Sequence, residues 1–280
     1  MIGTFGGNRL AIVTGAVGGM GSACAVRLAA EGWSMILCDI DPVRLEALAA
    51  PLRAPGLNID LLAGSIADAV FPDRLLTAIA DRPIGAVIHS AGLSPTMGSA
   101  EQIMTVNYDA SARLVALIRP RMSPGGCAVL IASSSGYSTV DPAVLAAIDA
   151  IPEDGGGASL LAFANGSSGY AYSISKKAVL RMVERQATAF GRRGARIMSI
   201  SPGLIDTPMG RAEQKAHPQM DKMLALTPLG RYGTSDEIAK VAVFLCSPGA
   251  SYLSGSDIKV DGGVLAAMSW PAAARGSEGA

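Results

Sequence analysis

The sequence holds little from which to build a metal centre, a disulfide framework or a polyanion-binding face. Its four cysteines, Cys24, Cys38, Cys127 and Cys246, are scattered and form no C-x-x-C pair, and its only histidines are His89 and His217. The clustered ligands of a structural zinc site are therefore missing. Each cysteine lies in an apolar run, such as Met35-Ile36-Leu37-Cys38, which predicts buried free thiols in a reducing cytoplasm. Charge of one sign is also lacking, since 23 Lys+Arg face 23 Asp+Glu. That balance excludes the basic groove that nucleic acid or anionic lipid requires. No apolar run approaches the ~20 residues that span a bilayer. Nor does a basic stretch followed by an apolar one mark a secretory leader. Aromatics are scarce, with 2 Trp, 6 Tyr and 5 Phe, so a base- or sugar-stacking surface is not expected. These absences leave a soluble, cytoplasmic chain with neither nucleic acid nor membrane as a partner.

Glycine is abundant at 33 of 280 residues, or about 12% against ~7% in ordinary chains. Apolar residues make up 50% and charged ones 16%, a composition that folds. Short apolar runs at 10–13, 35–38, 59–62, 86–89, 128–131, 196–200 and 257–260 alternate with amphipathic stretches at 20–31, 42–53, 68–81, 100–120, 172–191 and 235–246. Strands buried on both faces and joined by helices predict an α/β Rossmann fold. It would be one domain over 1–270 with a doubly wound parallel sheet of about seven strands. Two stretches interrupt the rhythm. Residues 137–170 carry a short helical pattern at 143–148 and Gly155-Gly156-Gly157, and read as a flexible insertion. Residues 204–230 show no strand but many Met and Leu, and read as a substrate loop. The tail 271–280 is expected to be disordered.

Thr14-Gly15-Ala16-Val17-Gly18-Gly19-Met20-Gly21 closes the first strand and opens the first helix. Glycine permits positive φ and close backbone approach, and a helix N-terminus offers N–H groups to a pyrophosphate. In that strand-turn-helix setting the cluster reads as a dinucleotide turn. Asp39 follows the second strand, 24 positions beyond Gly15. A carboxylate there accepts from both ribose hydroxyls and repels a 2′-phosphate. Ile40 stands where a basic residue would welcome that phosphate, so NAD is favoured over NADP. Asp39 as a cap of the next helix, or Asp41 in its place, stays open.

Tyr172-Ser173-Ile174-Ser175-Lys176 puts a tyrosine and a lysine at i and i+4, on one helix face. A phenol titrates near 10 by itself, and a nearby ammonium lowers that value. Such a pair exchanges a proton with a substrate hydroxyl as hydride moves.

With these residues in hand, the sequence resembles the short-chain dehydrogenase/reductase family over roughly 8–263. The matching motifs are Thr14-Gly15-x-x-x-Gly19-Met20-Gly21, Ala91-Gly92, Asn107, Ser133, Tyr172-x-x-x-Lys176, Pro202-Gly203-x-x-x-Thr207 and Asp261-Gly262-Gly263. The resemblance implies Tyr172 as general acid/base and Ser133 as the hydrogen-bond partner of the substrate oxygen. It implies Lys176 as the ligand of the nicotinamide ribose and Asn107 as the holder of a relay water. Ser134 and Ser135 adjoin Ser133, and alignment to the strand end picks the first. The implied cofactor contacts are Gly15, Gly19, Met20, Gly21, Asp39, Ser65, Ala91, Gly92, Tyr172, Lys176, Pro202 and Gly203, with Ile205 and Thr207 at the carboxamide. For Thr207 the alternative is capping the helix that follows. A homodimer or homotetramer is implied as well.

The sequence departs from the family at three places. His89-Ser90 stands where two asparagines are usual, and Ser65 where an adenine-contacting aspartate is usual. Tyr172 follows Ser133 by 39 positions, far more than is common. A comparable insertion marks the branch resembling bacterial 3α-hydroxysteroid dehydrogenase/carbonyl reductase, which implies a hydroxysteroid or other bulky ketone. The insertion reads either as a lid or as an interface element. Met209, Met220, Met223, Leu224 and Leu226 line an apolar pocket or serve as packing. The expected activity is NAD-dependent interconversion of a secondary alcohol and a ketone. An NADPH-dependent 3-ketoacyl reductase and a non-catalytic nucleotide sensor are the rivals.

Overall fold

A computed structural model describes residues 9–216 and 219–270; the tail expected at 271–280, and His217, lie outside the described residues. Leu10–Thr14, largely apolar and partly β-branched, is buried at every position, as a strand covered on both faces must be, and forms β1. The chain continues through α1 (Gly19–Ala30), β2 (Ser34–Asp39), α2 (Pro42–Ala49), β3 (Ile59–Ala63), α3 (Phe71–Ile79) and β4 (Ile84–His89). Next come α4 (Ala100–Met104), α5 (Ala110–Ile118), β5 (Met122–Ile131), α6 (Pro142–Ala150), α7 (Leu161–Ala164), α8 (Ser168–Gly191) and β6 (Arg196–Pro202). The remainder is β7 (Ile205–Asp206), α9 (Pro208–Ala216), α10 (Gln219–Leu226), β8 (Gly233–Thr234), α11 (Ser235–Cys246), β9 (Ser256–Val260) and α12 (Val264–Ser269).

Seven parallel strands lie in the order β3-β2-β1-β4-β5-β6-β9. The chain steps outward from β1 to β3, then returns to lay β4 on the other side of β1. Their carboxyl ends diverge there and open the crevice in which doubly wound sheets bind ligands. One apolar core packs α3, α4, α5 and α8 on one face, and a second packs α1, α2 and α11 on the other. All four cysteines are buried and free. This is the single Rossmann-type α/β domain that the alternation predicts.

Three local outcomes differ from the sequence pattern. The helix expected over 100–120 is broken by a π turn at Thr105–Asp109, which separates α4 from α5 and carries Asn107. The stretch 204–230 is not strandless, because Ile205–Asp206 pairs with Gly233–Thr234. The glycine run of the insertion is docked. Gly156 and Gly157 N–H groups donate to Asp109 Oδ1 at 2.9 and 2.7 Å. Gly156 has φ +115°, and a Cβ on Gly157 would meet Met104 Cγ at 2.8 Å. Close approach and a left-handed backbone, and not looseness, account for these glycines. The insertion lies along α8, held by Asp149–Arg181 at 2.8 Å and by Arg185 Nη2 donating to the Ile151 carbonyl at 2.9 Å. Ile148, Ile151 and Leu160 bury against the same core, each worth about 1.5–3 kcal/mol.

Candidate active site

The crevice begins at the glycine turn. Gly15 has φ +64°, and a Cβ there would lie 2.6 Å from the Ala91 nitrogen; one on Gly21 would lie 2.1 Å from the Gly15 carbonyl oxygen. Only glycine lets β1 turn this tightly into α1. Helix α1 starts after Gly18, which offers no capping side chain, and its first turn contains no acidic residue. With neither a side-chain cap nor an acidic residue in its first turn, the helix leaves its first N–H groups and positive dipole end available to a pyrophosphate. The turn thus fits a dinucleotide.

Of the two aspartates after β2, Asp41 and not Asp39 caps the next helix. Asp41 caps α2, its carboxylate accepting from the Val43 and Arg44 N–H groups at 3.0 Å each. Asp39 does not cap. Its Oδ2 accepts from Val17 N–H at 3.0 Å and its Oδ1 from Ile40 N–H at 2.8 Å, which fixes the carboxylate beside the glycine turn with lone pairs to spare. Arg44 reaches the same residue, donating to the Val17 carbonyl at 2.7 Å.

Helix α8 presents Tyr172 and Lys176 to the carboxyl ends of β4 and β5. The Tyr172 ring is partly exposed, while Lys176 is buried and donates to the Ile131 carbonyl at 2.9 Å, its ammonium 5.7 Å from the ring centroid. Among the three consecutive serines, Ser133 is the one whose hydroxyl pulls the Tyr172 phenol down. Its oxygen also accepts from Ser135 N–H at 3.1 Å. Asn107 Oδ1 accepts from Leu93 N–H at 2.7 Å, and its Nδ2 donates to the Leu93 carbonyl at 2.9 Å. A Cβ on Gly92 would lie 3.1 Å from Asn107 Oδ1 and 3.6 Å from Lys176 Nζ. Asn107, Gly92 and Lys176 therefore form one wall, with Ser133 and Tyr172 beside it.

Burial sets the electrostatics. It pushes Lys176 down to about 8, because an ammonium loses hydration there. Burial also raises the Tyr172 phenol, Ser133 hydrogen bonding pulls it down, and the Glu213 charge raises it further. The Lys176 ammonium donates to the Ile131 carbonyl while it lies 5.7 Å from the Tyr172 ring centroid. With its pKa raised above that of a free phenol, Tyr172 is protonated at neutral pH.

The other predicted contacts are distributed unevenly. Ala91 N–H donates to Thr14 Oγ1 at 3.4 Å. Met20 packs on the second core, and Pro202 is buried at the end of β6. A Cβ on Gly203 would meet Asp261 Cα at 2.7 Å, which ties the β6 end to the closing Asp261-Gly262-Gly263 motif. Thr207 caps α9, its Oγ1 accepting from Gly210 N–H at 2.9 Å, and its methyl faces Gly19. The Ile205 side chain belongs to the core, and its backbone lies in β7 opposite Gly233. Ser65 uses its hydroxyl on Ala67 N–H at 3.1 Å.

A further pair escaped the sequence reading. Glu213 on α9 is buried and accepts from Thr96 N–H at 2.9 Å and from the Thr96 hydroxyl. It latches the 204–230 segment to the loop after β4. The two residues are 117 positions apart and lie in polar stretches, so no periodicity announces them. Met209, Met220, Met223, Leu224 and Leu226 are all incompletely buried. Among the described residues no group of His, Cys, Asp or Glu is placed to hold a metal ion, and no helix is long and apolar enough to cross a membrane.

A family model described as short chain dehydrogenase matches residues 9–147, and one described as enoyl-(acyl carrier protein) reductase matches 157–265. The chain is 32% identical over 267 residues to the short-chain dehydrogenase/reductase bsc3 of Alternaria brassicicola, covering 92% of this chain and 96% of that one. It is 28% identical over 272 residues to levodione reductase of Leifsonia aquatica, covering 93% and 95%. A crystal structure from Brucella melitensis described as a short-chain dehydrogenase/reductase, glucose/ribitol dehydrogenase, superposes with TM-score 0.75 at 28% identity, covering 92% and 96%.

Proposed function

This chain belongs to the short-chain dehydrogenase/reductase family, and on that premise we propose that it interconverts a secondary alcohol and a ketone with NAD(H). One observation carries the reading: the Ser133 hydroxyl acts on the Tyr172 phenol, pulling its pKa down, beside Lys176 and Asn107 at the crevice that the glycine turn opens. Bound there, the nicotinamide supplies or accepts the hydride. In the direction of reduction, the Tyr172 hydroxyl gives its proton to the ketone oxygen while the Ser133 hydroxyl donates a hydrogen bond to that oxygen. In oxidation the phenolate takes the alcohol proton, and the Lys176 ammonium steadies the phenolate once it turns from Ile131. Asp39 supports NAD, because its carboxylate meets the ribose and repels a 2′-phosphate.

The substrate reading is a bulky apolar ketone or hydroxysteroid. It is supported by the methionines and leucines of 204–230 that stay outside the core, an adaptable apolar lining. A relative named levodione reductase is consistent with a ketone substrate. Arg44 favours a second reading, an NADPH-dependent ketoacyl reductase, because its guanidinium holds the carbonyl of Val17, whose N–H donates to Asp39. Rates with NAD and NADP across a panel of steroid, cyclic and acyl-thioester alcohols test both. Turnover with NAD on cyclic or steroid alcohols is the expected result. Preference for NADP on acyl thioesters would establish the second reading, and no turnover on any member would overturn both.

A further inference from the structure

His89 ends β4 opposite Thr14 of β1 and is buried. Its ring joins two elements. Nδ1 lies 2.6 Å from the Thr14 hydroxyl, and Nε2 lies 2.7 Å from the Ser111 hydroxyl on α5. The Ser111 hydroxyl in turn donates to the Asn107 carbonyl at 2.7 Å. A carbonyl only accepts, and a serine has one proton. Ser111 spends that proton on Asn107, so its oxygen accepts from His89, which must carry the proton on Nε2. Nδ1 is then bare and takes the Thr14 proton. Thr14 Oγ1 is left to accept the Ala91 N–H at 3.4 Å.

The four bonds therefore run one way, from the Ala91 amide through Thr14, His89 and Ser111 to the Asn107 carbonyl. Hydrogen bonds aligned head to tail polarise one another in a buried setting. The chain closes only with a neutral imidazole. Burial and the Lys176 ammonium push His89 down to about 3, so it stays neutral throughout the working range. It has no spare proton and is no acid or base of the reaction.

We propose that His89 is a positioning residue: it braces the π turn that carries Asn107 against the phosphate-binding end of β1. Asn107 holds both polar backbone groups of Leu93 and stands next to Gly92 and Lys176. A shift of the π turn therefore moves the wall beside the reacting atoms, and cofactor phosphates would be held as before. The kinetic part of this inference rests on the alcohol–ketone reading, whereas the tautomer and the brace do not.

The test begins with histidine ¹⁵N labelling, which gives two spin systems because the chain has two histidines. One is expected to show the neutral Nε2–H form without titrating between about pH 5 and 8. Ser111→Ala, which removes one oxygen atom, is expected to perturb that signal and the Leu93 and Asn107 amides. It should lower kcat by about tenfold while leaving NAD affinity, read by ligand fluorescence, within about twofold. His89→Gln, which keeps one donor and one acceptor, should recover more kcat than His89→Leu. An Nδ1–H tautomer, titration near 6.5, or a Ser111→Ala protein with unmoved amides overturns the brace. Wild-type kcat in folded Ser111→Ala overturns its part in catalysis. A wild type that turns over no alcohol refutes the oxidoreductase reading and leaves the NMR arms to decide the brace.

Discussion

Lys176 is held in a site that penalises its charge, and replacing it by methionine exposes the penalty. Its folded value is about 8 against 10.5 for the free side chain. At 1.36 kcal/mol per pKa unit, burying the ammonium costs the folded state about 3 kcal/mol. The folded state releases this proton near pH 8, whereas the unfolded chain keeps it to 10.5. The unfolded state binds more protons across that window, so this group's contribution to stability rises with pH from about 8 to 10.5. Buried thiols act in the opposite sense. Cys24, pushed up to about 12, keeps a proton that the unfolded chain loses, but it does so equally in both proteins. The difference between wild type and Lys176→Met thus isolates the lysine. At pH 7 the variant gains about 3 kcal/mol and loses the bond to the Ile131 carbonyl, worth about 1–3 kcal/mol. It should be at least as stable as wild type there, and inactive. By pH 10 the wild type recovers most of that penalty and should be the more stable of the two. Urea unfolding of both cofactor-free proteins at pH 7, 8.5 and 10 measures this. A difference that stays flat with pH would refute the premise that the ammonium is desolvated.

Removing the Tyr172 hydroxyl (Tyr172→Phe) should lower kcat by about 10²–10⁴-fold with unchanged NAD affinity, the range expected when a general acid is deleted. Stopped-flow hydride transfer and fluorescence titration separate the two effects, and turnover at the wild-type rate would rule the residue out. In Gly15→Ala, the strain of positive φ adds to a contact of 2.6 Å with Ala91 nitrogen. A loss of more than about 1–3 kcal/mol is expected in urea unfolding. Ketone reduction needs protonated Tyr172 and falls as pH rises through its pKa. Because the Glu213 charge raises that value, Glu213→Gln should move the fall to lower pH in a kcat/KM profile. Asp39→Asn keeps the acceptor for Val17 N–H but removes the charge, and should narrow the preference for NAD over NADP in binding titrations.

Much of this molecule can be read in one dimension where the cause is local. The strand-turn-helix at 10–21 and the spacing of Tyr172 and Lys176 declare themselves, because a tight turn and a helical repeat act over a few residues. The π turn does not. The apolar repeat continues from Ile103 to Ile118, and nothing in it marks the extra residue that rotates Asn107 towards Leu93. The aim of Lys176 at Ile131 depends on where β5 ends, 45 positions away. The Glu213–Thr96 latch and the His89–Ser111 contact are long-range pairings of ordinary polar residues. The glycine run at 155–157 looks loose in sequence because the residue that fixes it, Asp109, lies 47 positions earlier.

That last contact gives the π turn two sides. Its inner side carries Asn107, and two residues later its outer side carries Asp109, to which the insertion is fastened. Shortening or exchanging residues 142–164 would remove the ligands of Asp109 and uncover the outer wall of the turn that holds the asparagine. An extra loop that looks like ornament on a common scaffold thus fastens to the back of the turn that carries the asparagine.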